Sequence, residues 1–529
     1  MATFSNADPY MWVSQARTLL EGTPSQAAFR PDSIPYERIR HEEWPTGIPL
    51  TLGGLAWLSN SDPVEVYGAF AVLLTTLLAL TVFFCARGVL LWSSSVAALA
   101  GILVGTNGYL LFGNSFGWQA QIALATFGLL SVFWFRAALD REGSRRERVG
   151  AAAFGAAAIA AYGWPYVSFG AFLVAAGVAY LVSHGRRYLG RTFKVASEFG
   201  LWLALIGAVQ IVQAIRSLGF VDRSPEIVRR WSAYDPALPS DSLGLIPRTQ
   251  ALKQSSPNGW ILGVVLGCGI VAVALPTLTA KVRALNSPLD LLPIAIVLVT
   301  VDLVIIRVHD ASPAAWAFCA DVVTALLLGT GLAFLRSSQT QHGDLLVAGA
   351  AFLFAELAFF SVFHETPFYS VRLMGYAAPI FTLIALSVLT AGPSLKPMSS
   401  IALVRRLLLS ASAAFALLGT ITAIREGRDS LRTTAGVEAI AKATNDAVEP
   451  SSVIEIDIAE TWNQAWLVYF LRDRELAVSH PSVYFTGLSA TGSHALPTPA
   501  NVEYRIQAHA GRQVAAKASG FFLNRIQPH

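Results

Sequence analysis

Charged residues are scarce in this sequence. Asp, Glu, Lys and Arg make up only 14% of the 529 residues, whereas 54% are hydrophobic. A soluble globular domain carries about 25% charged residues. The mean hydropathy is +0.52. The shortage of charge excludes an ordinary soluble protein and predicts a polytopic membrane protein.

Cysteine is scarce as well. The three cysteines, Cys85, Cys268 and Cys319, all fall inside apolar segments. Their positions therefore provide neither a disulfide framework nor a CxxC metal site. We interpret them as small core residues.

Several catalytic motifs are absent from the sequence. It contains no Gly-rich phosphate loop and no HExxH, which argues against ATP-driven and metalloprotease chemistry. The net charge is +4, but most basic residues lie in short loops between apolar segments. Membrane orientation explains them better than nucleic-acid binding does.

Long apolar runs dominate residues 59–424. A helix that crosses the hydrocarbon core needs about 20 residues, so residues 47–58 are too short and are predicted to form an interfacial helix. About 12 transmembrane helices are predicted beyond it, near 65–86, 89–112, 118–137, 149–163, 166–183, 196–215, 259–280, 289–307, 313–334, 345–364, 371–391 and 401–424. Gly163-Trp164-Pro165 interrupts one apolar run and forms either a turn or a kink; we count two short spans there.

The positions of arginine and lysine predict the orientation. These residues collect in alternate loops, for example at 136–148 and 186–194, which should therefore be cytoplasmic. Residues 1–58, comprising the first loop and the interfacial helix, and residues 425–529 then face outward. We expect an integral protein of the bacterial inner membrane with an outward active site.

The predicted outer first loop has no upstream segment to export it. Either the first span inserts with its short N-terminus outside, or translation starts further upstream. We favour the upstream start, which would add a transmembrane helix.

The last 105 residues differ in pattern from the rest. Residues 437–448 have a helical pattern, and residues 452–458 alternate at strand period. Trp462, Trp466 and Tyr469 suit a packed amphipathic helix. The pattern predicts a small extracytoplasmic α/β domain over residues 425–529.

The first loop combines acidic and aromatic residues. Asp8 precedes Tyr10, Trp12 and Arg17. An isolated carboxylate beside aromatic residues, at the outer edge of a membrane domain, is better suited to a reaction on a charged lipid carrier than to packing. The alternative is helix capping by Ser5, Asn6 and Asp8. The two roles can coexist.

Four motifs resemble the catalytic subunit of oligosaccharyltransferase and its bacterial relatives, within the GT-C class of membrane glycosyltransferases. They are Asp8-Pro9-Tyr10 with Ala16-Arg17, His41-Glu42-Glu43-Trp44-Pro45, the turn at 113–121, and the arginine-led segment 371–379. The resemblance covers most of residues 1–424 in order and spacing.

The resemblance implies that a sugar or glycan is transferred from a polyprenyl (pyro)phosphate-linked donor to a glycan, lipid or protein acceptor. Asp8 would act as the catalytic base or as a metal ligand, of which we favour the base, and Glu42 and Glu43 are further candidate catalytic carboxylates. Arg372 would hold the donor phosphate, because an arginine fork matches phosphate oxygens. The candidate substrate-binding residues are Tyr10, Arg17, His41, Trp44, Trp118, Gln119, Gln121, His364, Glu365 and Arg372.

Two departures from the family pattern limit this expectation. Gln119 and Gln121 stand where the family places an acidic pair, and neutral amides do not offset a hard dication. We therefore expect no bound Mg²⁺ or Mn²⁺. No sequon-reading Trp-Trp-Asp motif follows residue 425, so transfer to peptide asparagine is not expected.

Two other functions stay open. A glycan ligase or polymerase would move a whole lipid-linked chain. A polyprenyl-lipid flippase would show broken helices in both halves, and the sequence shows one break, at 163–165, without a partner.

Overall fold

The computed structural model describes residues 7–21, 47–115, 117–141, 145–163, 166–221, 342–358, 367–387, 435–479, 502–511 and 513–526, together with 243, 324, 327–329, 331–332, 335, 417 and 420–421. The chain divides into two compact units. Unit 1 comprises Met1–Ala71, Ser115–Trp118 and Arg425–His529, and unit 2 comprises Val72–Asn114 and Gln119–Ile424.

Helices dominate the described part of the chain. They are α1 (Ala7–Glu21), α2 (Gly47–Ser59), α3 (Pro63–Gly88), α4 (Ser94–Gly105), α5 (Gly108–Ser115), α6 (Gln119–Asp140), α7 (Arg145–Tyr162), α8 (Tyr166–His184), α9 (Leu189–Val221), α10 (Gly343–Ala358), α11 (Pro367–Ser387) and α12 (Thr461–Phe470). Residues 435–447 are also helical.

Four segments of the described residues are long and apolar enough to cross a membrane. They are Pro63–Gly88, Ser94–Leu111, Gln119–Asp140 and Arg186–Ile215. Shorter apolar helices cover parts of α2, α8, α10 and α11. With the hydrophobic composition, these segments make the chain an integral membrane protein. The total of 12 spans stays a prediction, since those near 259–280 and 289–307 lie outside the described residues.

Local sequence explains where α3 begins. Asp62 Oδ1 accepts a hydrogen bond from Val64 N at 3.0 Å, and Asp62 N donates to Glu65 Oε2 at 3.2 Å. This is a reciprocal capping box, with Pro63 at the first helical position where its missing N–H costs nothing.

The span predicted at 89–112 is divided in two. Helix α4 ends at Gly105 and α5 begins at Gly108. Asn107 Oδ1 accepts from Tyr109 N at 2.9 Å and Leu110 N at 3.1 Å. An asparagine that caps a new helix competes with continuing the old one, and this break was not predicted.

The break predicted at 163–165 is confirmed, because α7 ends at Tyr162 and α8 begins at Tyr166. Gly163 has φ +39°, a conformation that favours glycine because it has no Cβ.

Helix α6 lies at the centre of unit 2 and is buried along nearly its whole length. Helix α7 packs against it through small residues, and Ser131 Oγ donates to Ala151 O at 2.9 Å. A Cβ added at Gly150 would lie 2.2 Å from Trp134 Cε3. Small residues therefore permit this close approach of helices, as in many membrane bundles.

The C-terminal part of unit 1 is the predicted small α/β domain. Its strands β1 (Val453–Asp457), β2 (Glu475–Val478), β3 (Tyr504–Gln507), β4 (Val514–Ala518) and β5 (Phe521–Arg525) form one sheet in the order β2-β1-β3-β5-β4. Strand β1 pairs in parallel with β2 and β3, whereas β5 is antiparallel to β3 and β4. Its buried residues include Ile454, Ile456 and Leu523.

Candidate functional site

Helix α1 contains the predicted base, Asp8, in its first turn. A carboxylate at this position interacts favourably with the helix dipole, so the structure is compatible with both interpretations of Asp8. The side chains of Asp8 and Tyr10 lie outside the described part of the chain.

The middle of α1 is held firmly within unit 1. Trp12 is 2% exposed, and its Nε1 donates to Gly117 O at 2.8 Å. Helix α2 approaches α1 closely, since a Cβ built on Gly53 would lie 3.3 Å from Ala16 O. These contacts fix the backbone that carries Asp8.

Arg17, predicted to bind substrate, contacts Asp62 in the same unit. Its Nη1 lies 3.5 Å from Asp62 Oδ2, and Arg472 Nη2 donates to the same oxygen at 3.1 Å. The Tyr469 hydroxyl donates to Asp62 Oδ1. One carboxylate therefore joins α1, the start of α3 and the region of α12.

Tyr469 is the neutral member of this cluster. Burial, followed by the neighbouring Asp62 carboxylate, raises the pKa of Tyr469 well above its ordinary value. The phenol therefore stays protonated and acts as a hydrogen-bond donor across the physiological range.

Two of the predicted substrate-binding residues open α6 in unit 2. Gln119 is fully buried, and its Nε2 donates to Asn114 O and Asn114 Oδ1, both at 3.0 Å. Gln119 Oε1 has no hydrogen-bond partner among the described residues. Gln121 Nε2 donates to Tyr162 Oη at 3.2 Å.

The helix that contains Arg372 lies against Gln121. A Cβ built on Gly375 of α11 would lie 3.9 Å from Gln121 Cβ, and the Tyr376 ring packs 6.0 Å from the Phe169 ring. Arg372 precedes Gly375 by three residues, which is about one helical turn. The structure thus brings the backbone of Arg372 close to Gln121, although its side chain is not described.

The remaining predicted site residues divide into two groups. Trp118 is 8% exposed and belongs to unit 1. His41, Glu42, Glu43, Trp44, His364 and Glu365 lie outside the described residues. Their roles stay predictions.

No cluster of three His, Cys, Asp or Glu side chains that could hold a metal occurs among the described residues. The side chains of the three candidate carboxylates, Asp8, Glu42 and Glu43, are not among the described ones. That the protein binds no divalent cation therefore stays a prediction.

Sequence reasoning missed Asp62 and Tyr162 as neighbours of site residues. The capping signal Asp62-Pro63-Val64-Glu65 was visible, but it identifies a helix start and not the arginines that bind the carboxylate. Tyr162 sits beside the predicted break at 163–165, and the sequence contains no signal that pairs it with Gln121.

No protein-family model matches this sequence, and no curated protein matches it. Among solved structures, the chain is similar to ArnT from Cupriavidus metallidurans bound to undecaprenyl phosphate, with 18% identity, a TM-score of 0.43 and coverage of 99% of this chain and 94% of that chain. It is also similar to the Archaeoglobus fulgidus oligosaccharyltransferase in complex with Zn and sulfate, with 13% identity, a TM-score of 0.44 and coverage of 94% of this chain and 63% of that chain. Likenesses this distant assign no residue roles to this chain.

Proposed function

We propose that this protein is a membrane glycosyltransferase that transfers a sugar or glycan from a polyprenyl (pyro)phosphate-linked donor to an acceptor at the outer face of the membrane. The observation that carries the proposal is the juxtaposition of two predicted site elements in unit 2. Gln121 of α6 lies against the turn of α11 that follows Arg372.

The first turn of α6 also offers an acceptor for a hydroxyl-rich group, and α11 offers a cation for an anion. Gln119 Oε1 is an acceptor without a partner in the described residues, and a buried acceptor is costly unless a donor such as a sugar hydroxyl reaches it. Arg372 supplies a guanidinium fork for phosphate oxygens in this proposal.

In the proposed reaction, the acceptor's nucleophilic atom attacks the anomeric carbon while the bond from that carbon to the phosphate oxygen breaks. Asp8 takes the proton of the acceptor, and Arg372 stabilises the negative charge on the leaving phosphate. The firm contacts of Trp12 and Ala16 support this role, because a base works best on a backbone that is already positioned.

The test compares Asp8→Asn with wild type. We expect Asp8→Asn to insert and fold normally and to lose transfer by about 10²–10⁴-fold, since this is the usual contribution of a general base. Transfer is measured in detergent with a panel of undecaprenyl-phosphate- and undecaprenyl-pyrophosphate-linked sugars, using membrane lipids and envelope glycans as acceptors.

The matched control is Asp446→Asn, which changes an exposed aspartate of the helical segment 435–447. It should transfer at the wild-type rate. Wild-type rates for Asp8→Asn would return Asp8 to a capping role. Products extended by a whole chain instead of one unit would identify a ligase or polymerase.

A further inference from the structure

Four helix ends of unit 2 surround a cavity of about 1200 Å³. They are the C-terminal ends of α3, α6 and α8 and the N-terminal end of α10, all predicted to lie on the cytoplasmic side. On α6, Arg136 lies 17 residues after Gln119, which corresponds to about 25 Å along the helix. The cavity is therefore separate from the proposed donor site, and the inference does not depend on that function.

One end of the cavity is charged. Arg136 is only 1% exposed, and it contacts Asp140 at 3.2 Å and Asp344 at 2.7 Å. Its guanidinium also lies 4.8 Å from the centre of the Tyr180 ring. A buried arginine of this kind is stable only because both carboxylates compensate its charge.

The carboxylates of Asp140 and Asp344 can still accept hydrogen bonds from a ligand. Among the described residues, each of them uses only Oδ2 in its ion pairs, and the side chains are 25% and 19% exposed. Asp140 Oδ1 and Asp344 Oδ1 are thus open acceptors in the described part of the cavity wall. A primary ammonium group can donate to both.

Cationic and imidazole groups complete the polar wall. The Arg141 side chain is 68% exposed, and its Nη1 forms an ion pair with Glu147 Oε1 at 3.2 Å. The His184 Nδ1 atom lies 3.0 Å from Tyr180 O. Burial lowers the pKa of His342, against the opposing influence of Asp140. The other charged side chains of the wall are two arginines and two aspartates, so their formal charges cancel.

The rest of the cavity wall is largely apolar. Val347, Ala348 and Ala351 belong to it, as do Leu91 and Val182, which are 52% and 80% exposed. Apolar side chains that exposed, in a membrane protein, are suited to contact with lipid chains. The wall therefore combines charged side chains with apolar ones that are accessible to lipid.

We propose that this cavity binds the headgroup of a zwitterionic aminophospholipid, with phosphatidylethanolamine as the matching chemistry. The ammonium contacts Asp140 and Asp344, the phosphate contacts Arg141, and the acyl chains leave between Leu91 and Val182. A wall without net charge, but with separated acids and bases, is complementary to a headgroup of the same kind.

The test uses the full-length protein, delipidated in detergent. Phosphatidylethanolamine with a diazirine near its headgroup is cross-linked to the protein, and the modified peptides are identified by mass spectrometry. We expect cross-links in α8 and α10. Unlabelled phosphatidylethanolamine should compete at least tenfold better than phosphatidylcholine, whose quaternary ammonium has no N–H to donate, or than anionic phosphatidylglycerol.

The variant Ala348→Trp places a large side chain in the cavity wall and should remove these cross-links. The matched control, Ala355→Trp, makes the same change at an exposed position of α10 that does not line the cavity, and it should cross-link like wild type. Equal competition by the three lipids would overturn the proposal, and so would wild-type cross-linking of Ala348→Trp. If Ala348→Trp does not fold, the lipid competition on the wild-type protein decides alone.

Discussion

Arg372 lies near the start of α11, at an end of the helix where the predicted orientation does not favour arginine. Two roles account for it. It could hold a phosphate by two parallel hydrogen bonds, or it could anchor the helix end by extending its charge to lipid headgroups. The proximity of its helix turn to Gln121 is compatible with both.

Substitution by lysine separates these two roles. A phosphate clamp should lose about 1.5–3 kcal/mol of donor affinity in Arg372→Lys, the scale of a charge-assisted hydrogen bond, because lysine lacks the fork. An anchor should tolerate the change. The measurement is KM and kcat for a polyprenyl-linked donor.

Arg87→Lys is the control for this substitution. Arg87 Nη1 donates to Trp92 O at 3.0 Å, close to its own helix end, so its replacement should leave the donor KM unchanged. Identical kinetics for Arg372→Lys and wild type would rule out the clamp and leave the anchor.

At the scale of elements, Asp62 connects three parts of unit 1. It caps α3, and its carboxylate accepts from Arg17 of α1, from Tyr469 at the end of α12 and from Arg472 just beyond. The hydrogen bond between Trp12 and Gly117 adds a further tie to α1. The helix that carries Asp8 is thus positioned by residues that are not predicted to touch substrate.

Two variants of Asp62 separate its contributions. Asn is also a good N-cap, so Asp62→Asn keeps the cap but loses the ion pairs, and it should lower the free energy of unfolding of the protein by about 1–3 kcal/mol. Asp62→Ala loses the cap as well and should cost about 1 kcal/mol more. Denaturant titration in detergent micelles measures both.

Asp473→Asn is the matched control for Asp62, since Asp473 is exposed on the same C-terminal domain. Its stability should equal that of wild type. If Asp62→Asn were equally stable, the ion pairs would not hold α1, and the positioning of Asp8 would have to come from its packing on α2 and from the hydrogen bond between Trp12 and Gly117.

At the scale of the whole molecule, the proposed transfer should not require a divalent cation. The first turn of α6 contains the neutral amides Gln119 and Gln121 instead of acids, and these bring no charge to offset a hard dication. We expect EDTA to leave most of the transfer activity intact, and added Mn²⁺ to change it little.

The chelation experiment uses a known metal-dependent transferase in the same buffer to verify that EDTA is effective. Activity that disappears with EDTA and returns with Mn²⁺ would contradict the prediction. It would indicate that Asp8, Glu42 or Glu43 contributes to a metal site.

The sequence by itself determined the class of protein and most of the described elements. A helix that spans a membrane needs a local run of apolar residues, and β1 and α12 follow from periods of two and 3.6. Local signals therefore predicted α3, α6, the break after Tyr162 and the C-terminal domain. The break at Asn107 was missed because apolar residues precede and follow it. The hydropathy of residues 89–112 therefore predicts one continuous span despite the single capping residue.

Only the tertiary structure decided which distant residues meet. Asp62 is 45 residues from Arg17 and 410 from Arg472, and Arg136 is 208 residues from Asp344. Hydropathy places such residues at helix ends but says nothing about which ends are neighbours, because that depends on the packing of small residues between helices. The Asp62 cluster and the zwitterionic cavity were therefore invisible in the sequence, although every residue in them could be read from it.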